Sequence, residues 1–383
     1  MRVLVLGVKN YPAFSRPWVH SGGMEVYAER MVRSLAGRAR FTVYTADGDP
    51  DEAATVVRLG ARRGLRTQPL SLAVRSWRRL RADGPVYDVC NPQSPLAAVS
   101  AWVAKRRWGI PYVVTVHVFG ADPAHAGNRL SAAVYARIQA LVFSEAAGII
   151  PTGRRLAEAL ERRYPKIGSR ITVVTAAGTG VRRAAEARAT IRFRLGTPAE
   201  TPVLLFLGRL VRENGICELL EAFQRLREDA PDARLWIAGS GDREARIRKR
   251  IGSLGIGGSV QMLGARRGQD KLDLLAAADV MVRTSRHEVF PEAYLEALSV
   301  GTPVAATAAG DTEDLATDSG AVAVLPANDP HRQAAMIGAL IADRDRLTLM
   351  KQRALQYSRR VVWDDRKEVY WRVLESAAHG AAS

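Results

Sequence analysis

Two glutamates eight positions apart, Glu288 and Glu296, lie around the start of a predicted helix that spans about Pro291 to Val300. Proline is favoured at the first helical position, and the Gly-Thr-Pro sequence that follows ends the helix. The unpaired N–H groups of the first turn and the positive end of the helix dipole form an anion site, which suits a phosphate. Glu296 has apolar neighbours and needs hydrogen-bond donors such as ribose hydroxyls, and Glu288 would reach the group beyond the phosphates. The alternative is that Glu296 is solvated on the outer face of the helix, and that Glu288 and Glu292 are acids that the helix dipole favours.

A cation and an imidazole follow other apolar runs that are typical of strands. Arg209 comes after the run 202–208, where its guanidinium can hold two oxygens of a diphosphate. His117 ends the run 112–117, at the carboxyl edge of the expected sheet. The alternatives are a surface arginine beside a turn and a structural histidine.

Paired glycines, Gly22 and Gly23, precede a predicted helix that runs to about Leu35. The first strand is not followed by G-x-G-x-x-G, so the sequence lacks the fingerprint of NAD binding. Backbone N–H groups at the start of such a helix are open to a phosphate or a sugar hydroxyl. A simple turn is the alternative.

These residues lie on an alternation of short apolar runs and longer amphipathic segments, which predicts an α/β fold with parallel sheets. The strands predicted in the first half are Arg2–Val8, Arg40–Thr45, Thr55–Leu59, Val86–Cys90, Tyr112–His117, Gly148–Pro151 and Ile171–Thr175. Those predicted in the second half are 202–208, Arg234–Ala238, Val260–Leu263, Val280–Thr284, Pro303–Thr307 and Ala321–Leu325. Doubly wound sheets bind ligands at the carboxyl ends of their strands, so two such domains that face each other would enclose one site in the cleft between them.

The length of 383 residues predicts two domains. After Val181 the sequence becomes polar and rich in alanine, which marks a linker. We predict a first Rossmann-like domain over 1–181, a linker over 182–201 and a second Rossmann-like domain over 202–360. A C-terminal helix over 361–383 is expected to pack back on the first domain.

The composition narrows the class of protein. Hydrophobic residues make up 47% and charged residues 25% of the chain, which favours folded domains over disorder. No run of apolar residues suits a membrane span or a signal peptide, so neither is expected. Cys90 and Cys217 form neither a disulfide framework nor a zinc pattern, so we expect a reducing cytoplasm. The net charge of +17, carried mostly by arginine, suits phosphate-bearing partners, although a GC-rich genome would give the same bias.

Taken together, these features resemble the family-four retaining glycosyltransferases, which have the two-domain GT-B architecture. The resemblance spans nearly the whole chain, and its most specific part is the E-x7-E pattern followed by Ala-Leu-Ser-Val-Gly-Thr-Pro-Val. The motifs that carry it are Gly22-Gly23-Met24-Glu25, Asp88-Val89 through Ser94-Pro95-Leu96, Gly109 through His117, Gly208-Arg209-Leu210, Ala238-Gly239-Ser240-Gly241, and Glu288 with Glu296.

The resemblance implies transfer of a sugar from a nucleotide-diphosphate donor to a hydroxyl acceptor, with retained anomeric configuration. It implies neither a protein nucleophile nor a cofactor or metal ion, and the D-x-D sequence at Asp47–Asp49 is better explained as an acidic turn. By analogy, the catalytic residues are Glu288, Arg209 and His117. The donor-binding residues implied are Glu288 and the amides of Val289 and Phe290 for sugar and phosphate, Glu296 for ribose, Arg209 and Asn214 for the diphosphate, Gly22 and Gly23 from the first domain, and Gly264 and Ala265 near the base.

Two positions depart from the family's pattern. The family usually carries a lysine, which assists Arg209 at the diphosphate, where this chain has Asn214. Asparagine donates a hydrogen bond but brings no charge. We hypothesise that donor turnover is weak or altered, or that the missing cation comes from Arg212, Arg266 or Arg267; the second version predicts that Asn214→Lys changes little. Asn91-Pro92-Gln93 stands where relatives often have histidines, which leaves the acceptor side open.

The segment Arg58–Arg81 interleaves arginines with leucine, valine and tryptophan, so part of it predicts a basic amphipathic helix that lies on anionic lipid at the inner face of a membrane. A helix with a solvated arginine face is the alternative.

The first rival to an enzyme is a nucleotide-sugar-binding protein that has lost catalysis, because of Asn214. A nucleic-acid-binding protein rests on charge alone and is not expected, and the related phosphorylases would need a pyridoxal motif that we do not find.

Overall fold

The computed structural model describes residues 1–13, 23–60, 68–118, 129–178, 180–286, 288 and 292–380. Within them the chain forms two compact units: unit 1 comprises 1–176 and 364–383, and unit 2 comprises 177–363. Four of the residues discussed above fall outside the described ranges, as does the part of the basic segment at 61–67. The four are Gly22, Val289, Phe290 and Pro291.

Unit 1 is built on short parallel strands whose residues are mostly buried and apolar. These strands are β1 (Arg2–Tyr11), β2 (Arg40–Gly48), β3 (Ala54–Arg58), β4 (Val89–Pro92), β5 (Val113–Val116) and β6 (Gly148–Pro151). Its helices before residue 176 are α1 (Gly23–Leu35), α2 (Gln68–Asp83), α3 (Pro95–Trp108), α4 (Arg129–Glu145) and α5 (Arg154–Arg163). The strand order is β3-β2-β1-β4, and a bridge from Cys90 to Tyr112 joins β4 to the pair β5-β6.

Helix α3 shows how local sequence sets an element of this unit. Ser94 precedes the helix and its hydroxyl accepts a hydrogen bond from the N–H of Ala97 over 3.3 Å. Pro95 occupies the first turn, and Gly109 ends the helix with φ of 75°. These are the cap residues that favour a start and a stop at these positions.

Unit 2 holds one parallel sheet. Its strands are β7 (Val203–Leu207), β8 (Arg234–Ala238), β9 (Val260–Gly264), β10 (Val280–Arg283), β11 (Val304–Thr307) and β12 (Val322–Leu325), in the order β12-β11-β10-β7-β8-β9. Its helices are α6 (Arg188–Arg194), α7 (Ile216–Asp229), α8 (Glu244–Ser253), α9 (Gly268–Ala277), α10 (Glu292–Ser299), α11 (Thr312–Ser319), α12 (Pro330–Ala342) and α13 (Arg344–Arg360). Because β7 is flanked by β10 and β8, the loops that follow these three strands meet at one edge.

The last helix, α14 (Trp363–His379), lies in unit 1 apart from its first residue. Tyr370 and Leu374 of this helix are fully buried. At its surface, the guanidinium of Arg38 donates to both carboxylate oxygens of Glu368 over 2.6 and 2.9 Å. None of the helices in the described part of the chain is both long and apolar enough to cross a bilayer.

The predicted α/β class with parallel sheets is confirmed, and most predicted strands agree with the observed ones to within three residues at each end. The prediction for Ile171–Thr175 is wrong. Ile171 forms only a bridge with Ile149, and the N–H groups of Thr172 and Val174 then bond to carbonyls of β6. The segment therefore follows the edge of β6 without becoming a strand of its own.

Candidate active site

The loops after β7, β8 and β10 touch one another through glycines. Gly215 has φ of +67°, and a Cβ built there would lie 1.9 Å from the carbonyl oxygen of Thr284. A Cβ on Gly239 would lie 1.9 Å from the carbonyl oxygen of Gly208. Only glycine permits backbones to approach this closely. The carboxyl edge of the unit 2 sheet is therefore a tightly packed surface on which side chains are held in fixed positions.

Arg283, the last residue of β10, is a buried cation at this edge. Its Nη1 donates to the carbonyl oxygen of Leu207 over 2.6 Å. Its Nη2 donates to Oε1 of Glu288 over 2.6 Å and to Oδ1 of Asn214 over 3.1 Å. The guanidinium carbon lies 5.4 Å from the centroid of the Phe206 ring. One guanidinium thus joins the ends of two strands to the loops that follow them.

Glu288, the predicted sugar-binding carboxylate, has one oxygen engaged by the protein. Oε1 accepts hydrogen bonds from Arg283 and, over 3.2 Å, from the hydroxyl of Ser285. Within the described residues Oε2 accepts no hydrogen bond, and the side chain is 18% exposed. Glu288 therefore has one carboxylate oxygen available to a ligand hydroxyl.

Asn214 lies between the predicted phosphate-binding arginine and the buried one. Its Nδ2 donates to the carbonyl oxygen of Arg209 over 2.7 Å, and its Oδ1 accepts from Arg283. Of the arginines predicted to supply the missing cation, Arg212 and Arg266 are exposed and Arg267 is partly buried. The guanidinium that contacts Asn214 is that of Arg283. Sequence reasoning missed this arginine because 69 residues separate it from Asn214.

The side chain of Arg209 is exposed at the end of β7. No hydrogen-bond or ion-pair partner of its guanidinium is found in the part of the chain that the structure describes. A free guanidinium with a fixed backbone is suited to bind two oxygens of a diphosphate.

Gly264 and Ala265, predicted to lie near the base, are exposed at the end of β9. There the carbonyl oxygen of Gly264 accepts a hydrogen bond from the N–H of Gly239 over 2.8 Å.

Glu296, predicted to need ribose hydroxyls as its donors, already has a protein partner. Its Oε1 accepts a hydrogen bond from Nζ of Lys271 over 2.5 Å, and the two side chains are 27% and 17% exposed. Lys271 therefore supplies one of the hydrogen-bond donors that this carboxylate was predicted to need, and the contact of Glu296 with ribose stays a prediction. Lys271 comes from α9, and no local pattern in that helix indicates that it faces α10.

His117 of unit 1 follows β5 and ends a buried chain of polar side chains. Its Nε2 lies 3.1 Å from Oε1 of Gln93. Nε2 of Gln93 donates to Oδ1 of Asn91 over 2.6 Å, and the hydroxyl of Tyr370 donates to the same oxygen over 2.9 Å. The ring of Tyr27 contacts His117 edge-on, with centroids 5.1 Å apart. Asn91 and Gln93, at positions where relatives often have histidines, thus form the hydrogen-bonded chain that ends at His117.

This network fixes the proton on His117. Nδ2 of Asn91 donates to the carbonyl oxygen of Val113 over 2.9 Å, and a carbonyl can only accept, so Oδ1 of Asn91 must face Gln93. Gln93 then turns its own oxygen to the imidazole, and Nε2 of His117 must carry a proton. Burial lowers the pKa of His117 to about 3, which keeps the ring neutral.

Gly23, the other predicted donor contact from unit 1 within the described residues, begins α1 and is exposed.

We expect nitrogen NMR of His117 to show a neutral Nε2–H tautomer throughout about pH 5 to 8. A free imidazole would gain a proton near about pH 6.5. Since the folded protein resists a proton that the unfolded chain accepts, His117 also makes the protein less stable as the pH falls below about 6.5. In Gln93→Leu the Nε2 proton loses its acceptor, and the tautomer signal should become mixed. An inflection near the pKa of a free imidazole in the wild-type signal would contradict this assignment.

Two models of known families match the chain, one after the other. The model described as "Glycosyl transferase 4-like domain" matches residues 22–175, and the model described as "Glycosyl transferases group 1" matches residues 187–357. The chain belongs to the GT4 family of glycosyltransferases. Among curated relatives, D-inositol 3-phosphate glycosyltransferase of Corynebacterium urealyticum is 29% identical over 95% of this chain and 93% of its own.

Solved structures of other proteins share the fold of this glycosyltransferase. Sucrose-phosphate synthase of Thermosynechococcus elongatus superposes with a TM-score of 0.84 over 100% of both chains at 19% identity. Anabaena HepE in complex with UDP-glucose superposes with a TM-score of 0.76 over 99% of this chain and 100% of its own, also at 19% identity. These likenesses confirm the predicted GT-B architecture. Family membership favours the enzyme over the rival binding protein without catalysis.

Lys271→Met in this glycosyltransferase is expected to weaken nucleotide binding modestly, by up to about fivefold, since partly exposed ion pairs contribute at most about 1 kcal/mol. The loss should be the same for a nucleoside diphosphate and for its sugar, because Glu296 is assigned to ribose. Titration calorimetry measures both affinities. Lys249→Met, an exposed lysine of α8, serves as the control. A loss confined to the sugar-bearing ligand would show that Glu296 faces the sugar instead.

Proposed function

We propose that this GT4 glycosyltransferase moves a sugar from a nucleotide-diphosphate sugar to a hydroxyl acceptor with retention of configuration. The observation that carries the proposal is the arrangement at the carboxyl edge of the unit 2 sheet. There Arg209 offers a guanidinium to the diphosphate, and Arg283 holds Glu288 with one oxygen available for the sugar. Glu296 follows eight residues later in α10, as a ribose contact would require. Gly23 and His117 are the proposed contacts to the donor from unit 1.

In the proposed reaction the bond between the anomeric carbon and the diphosphate oxygen breaks, and the acceptor oxygen attacks from the same face. The acceptor's proton passes to the departing diphosphate. Arg209 stabilises the negative charge that develops on that leaving group, which is the main electrostatic task of the protein. We assign this neutralisation to Arg209 and to backbone N–H groups, and not to a metal ion.

A uridine diphosphate sugar is our first candidate for the donor. The solved structures of Anabaena HepE with UDP, with UDP and glucose, and with UDP-glucose support it. Relatives named D-inositol 3-phosphate glycosyltransferase support a phosphorylated polyol as the first acceptor to test. The net charge of +17 is compatible with an anionic acceptor.

A calorimetric screen of UDP, GDP, ADP and TDP, each with and without glucose, tests the donor class. We expect one base to bind clearly more tightly than the others, and its sugar to be transferred to D-inositol 3-phosphate or hydrolysed slowly without acceptor. Arg209→Met should weaken the preferred diphosphate roughly 10- to 100-fold, as expected for loss of a charge-assisted hydrogen bond. Arg225→Met, an exposed arginine of α7, serves as the control. Failure of every nucleotide to bind would end the proposal.

We also propose that α2 lies on anionic lipid at the inner, cytoplasmic face of a membrane. Leu70 and Val74 are 59% and 46% exposed, and Arg78 and Arg81 of the same helix are exposed as well. Residues four apart lie on one face of a helix, so Leu70, Val74 and Arg78 form an apolar and cationic stripe. Such a stripe suits the boundary between acyl chains and acidic headgroups.

Replacement of Leu70 and Val74 by serine is expected to reduce co-sedimentation with vesicles that contain phosphatidylglycerol by about tenfold, since two apolar side chains no longer enter the lipid. Vesicles of phosphatidylcholine alone should bind the wild type weakly, because the cations of α2 then have no counter-charge. Leu349→Ser, a 44% exposed leucine of α13, is the matched control. Equal binding by all variants would exclude α2 as the contact.

A further inference from the structure

Arg283 is buried between Glu288 and Asn214, two of the predicted donor-binding residues of unit 2, and its position is fixed from several sides. It is 5% exposed. It donates hydrogen bonds to the carbonyl of Leu207, Oδ1 of Asn214, the hydroxyl of Ser285 and Oε1 of Glu288, over 2.6 to 3.2 Å. Among the described residues, Glu288 is its only carboxylate partner. Loss of either charge would leave the other buried without compensation, so each of the two side chains depends on the other for its position.

We propose that Arg283 is a positioning residue, which aims Glu288 at the donor sugar and ties that carboxylate to the loop that binds the diphosphate. This rests on the proposed function. On the sugar side, Nη2 fixes Oε1 of Glu288, so the carboxylate presents Oε2 to a sugar hydroxyl. On the phosphate side, the same Nη2 holds Asn214, whose amide nitrogen holds the carbonyl oxygen of Arg209 over 2.7 Å. Three side chains, those of Glu288, Arg283 and Asn214, thus connect the predicted sugar-binding and diphosphate-binding parts of the donor site.

The planar fork of arginine is needed for this arrangement. Its two terminal nitrogens reach Leu207 on one side and Glu288 with Asn214 on the other, while the ring of Phe206 lies 5.4 Å from the guanidinium carbon. A Cβ built on Gly208 would lie 2.5 Å from Nη1, so a side chain at 208 would displace the guanidinium from its observed position. A lysine would keep the charge, but its single nitrogen cannot occupy both positions.

A double-mutant cycle between Arg283 and Glu288 tests the proposal. UDP and UDP-glucose, or the pair that the donor screen selects, are titrated into the wild type, Arg283→Met, Glu288→Gln and the double variant. If Arg283 acts through Glu288, each single variant lowers the affinity for UDP-glucose relative to UDP by roughly 10-fold or more, and the double variant loses little further. Arg286→Met, an exposed arginine of the same loop, should leave the ratio of the two affinities unchanged.

Circular dichroism and a thermal unfolding curve show whether Arg283→Met folds. If it does not, Arg283→Lys is used in its place. We expect Arg283→Lys to lower the same ratio by several-fold while UDP alone still binds. A merely structural arginine would change the unfolding temperature and leave the ratio at its wild-type value, which would overturn the proposal. Additive losses in the double variant would overturn it as well. A wild type that binds no nucleotide or nucleotide sugar would instead end the proposed function itself.

Discussion

Glu288→Gln is expected to lower kcat/KM for sugar transfer by roughly 100- to 1000-fold, the range typical for removal of one key electrostatic contact at a reaction centre. Glutamine has nearly the same shape as glutamate, so the loss reports on charge and on the direction of hydrogen bonds. Arg283 can only donate, and it therefore holds the amide oxygen of the substituted side chain at the position of Oε1. The amide nitrogen must then take the position of Oε2.

This orientation places a donor where the sugar hydroxyl needs an acceptor. The hydroxyl must turn away or lose its partner, and the guanidinium of Arg283 remains buried without a counter-charge. Steady-state kinetics at saturating acceptor separates the effect on donor binding from the effect on turnover. Glu213→Gln removes the same charge from an exposed side chain in the loop after β7 and should change kcat/KM less than about twofold. Equal kinetics for Glu288→Gln and the wild type would remove Glu288 from the reaction.

The framework of the molecule could be predicted from the sequence because it depends on short-range patterns. Apolar runs predicted β8 at its observed bounds, Arg234–Ala238, and the helix after Glu288 is observed over Glu292–Ser299. The order of motifs along the chain identified the family. A strand at Ile171–Thr175 was predicted from apolar content alone, which cannot show whether the backbone pairs over its full length.

The partners of the predicted carboxylates could not be predicted, because they come from other elements. Arg283 reaches Asn214 across 69 positions, and Lys271 reaches Glu296 across 25. The chain has many arginines, so the sequence offers several candidates for the cation beside Asn214. Arg283 is the last residue of a buried strand, where sequence alone predicts an apolar side chain. An arginine at the end of such a strand was the available signal that a carboxylate lies nearby.

Asp279→Asn is expected to destabilise unit 2 by about 3 to 5 kcal/mol, the usual cost of removing one partner from a buried ion pair. Asp279 lies just before β10 and is 3% exposed. Its Oδ1 accepts from Arg188 over 2.6 Å, and its Oδ2 accepts from Arg192 over 2.7 Å and from the N–H of Val203 over 2.9 Å. Arg192 is 2% exposed, so its charge would be left buried without compensation.

The pH dependence of this effect follows from the carboxyl group. Burial by itself would raise the pKa of Asp279, but the charges of Arg188 and Arg192 and the N–H of Val203 outweigh it and hold the pKa below its usual range. A lowered pKa stabilises the folded state above the unfolded value of about 3.9, and this contribution is lost as the pH falls through the folded value. The difference in unfolding temperature between wild type and Asp279→Asn should therefore be large at neutral pH and shrink below about pH 4. Scanning calorimetry measures it, with Asp232→Asn, an exposed acid, as the control. A difference that stays constant down to about pH 2 would mean that Asp279 stabilises unit 2 by packing and not by its charge.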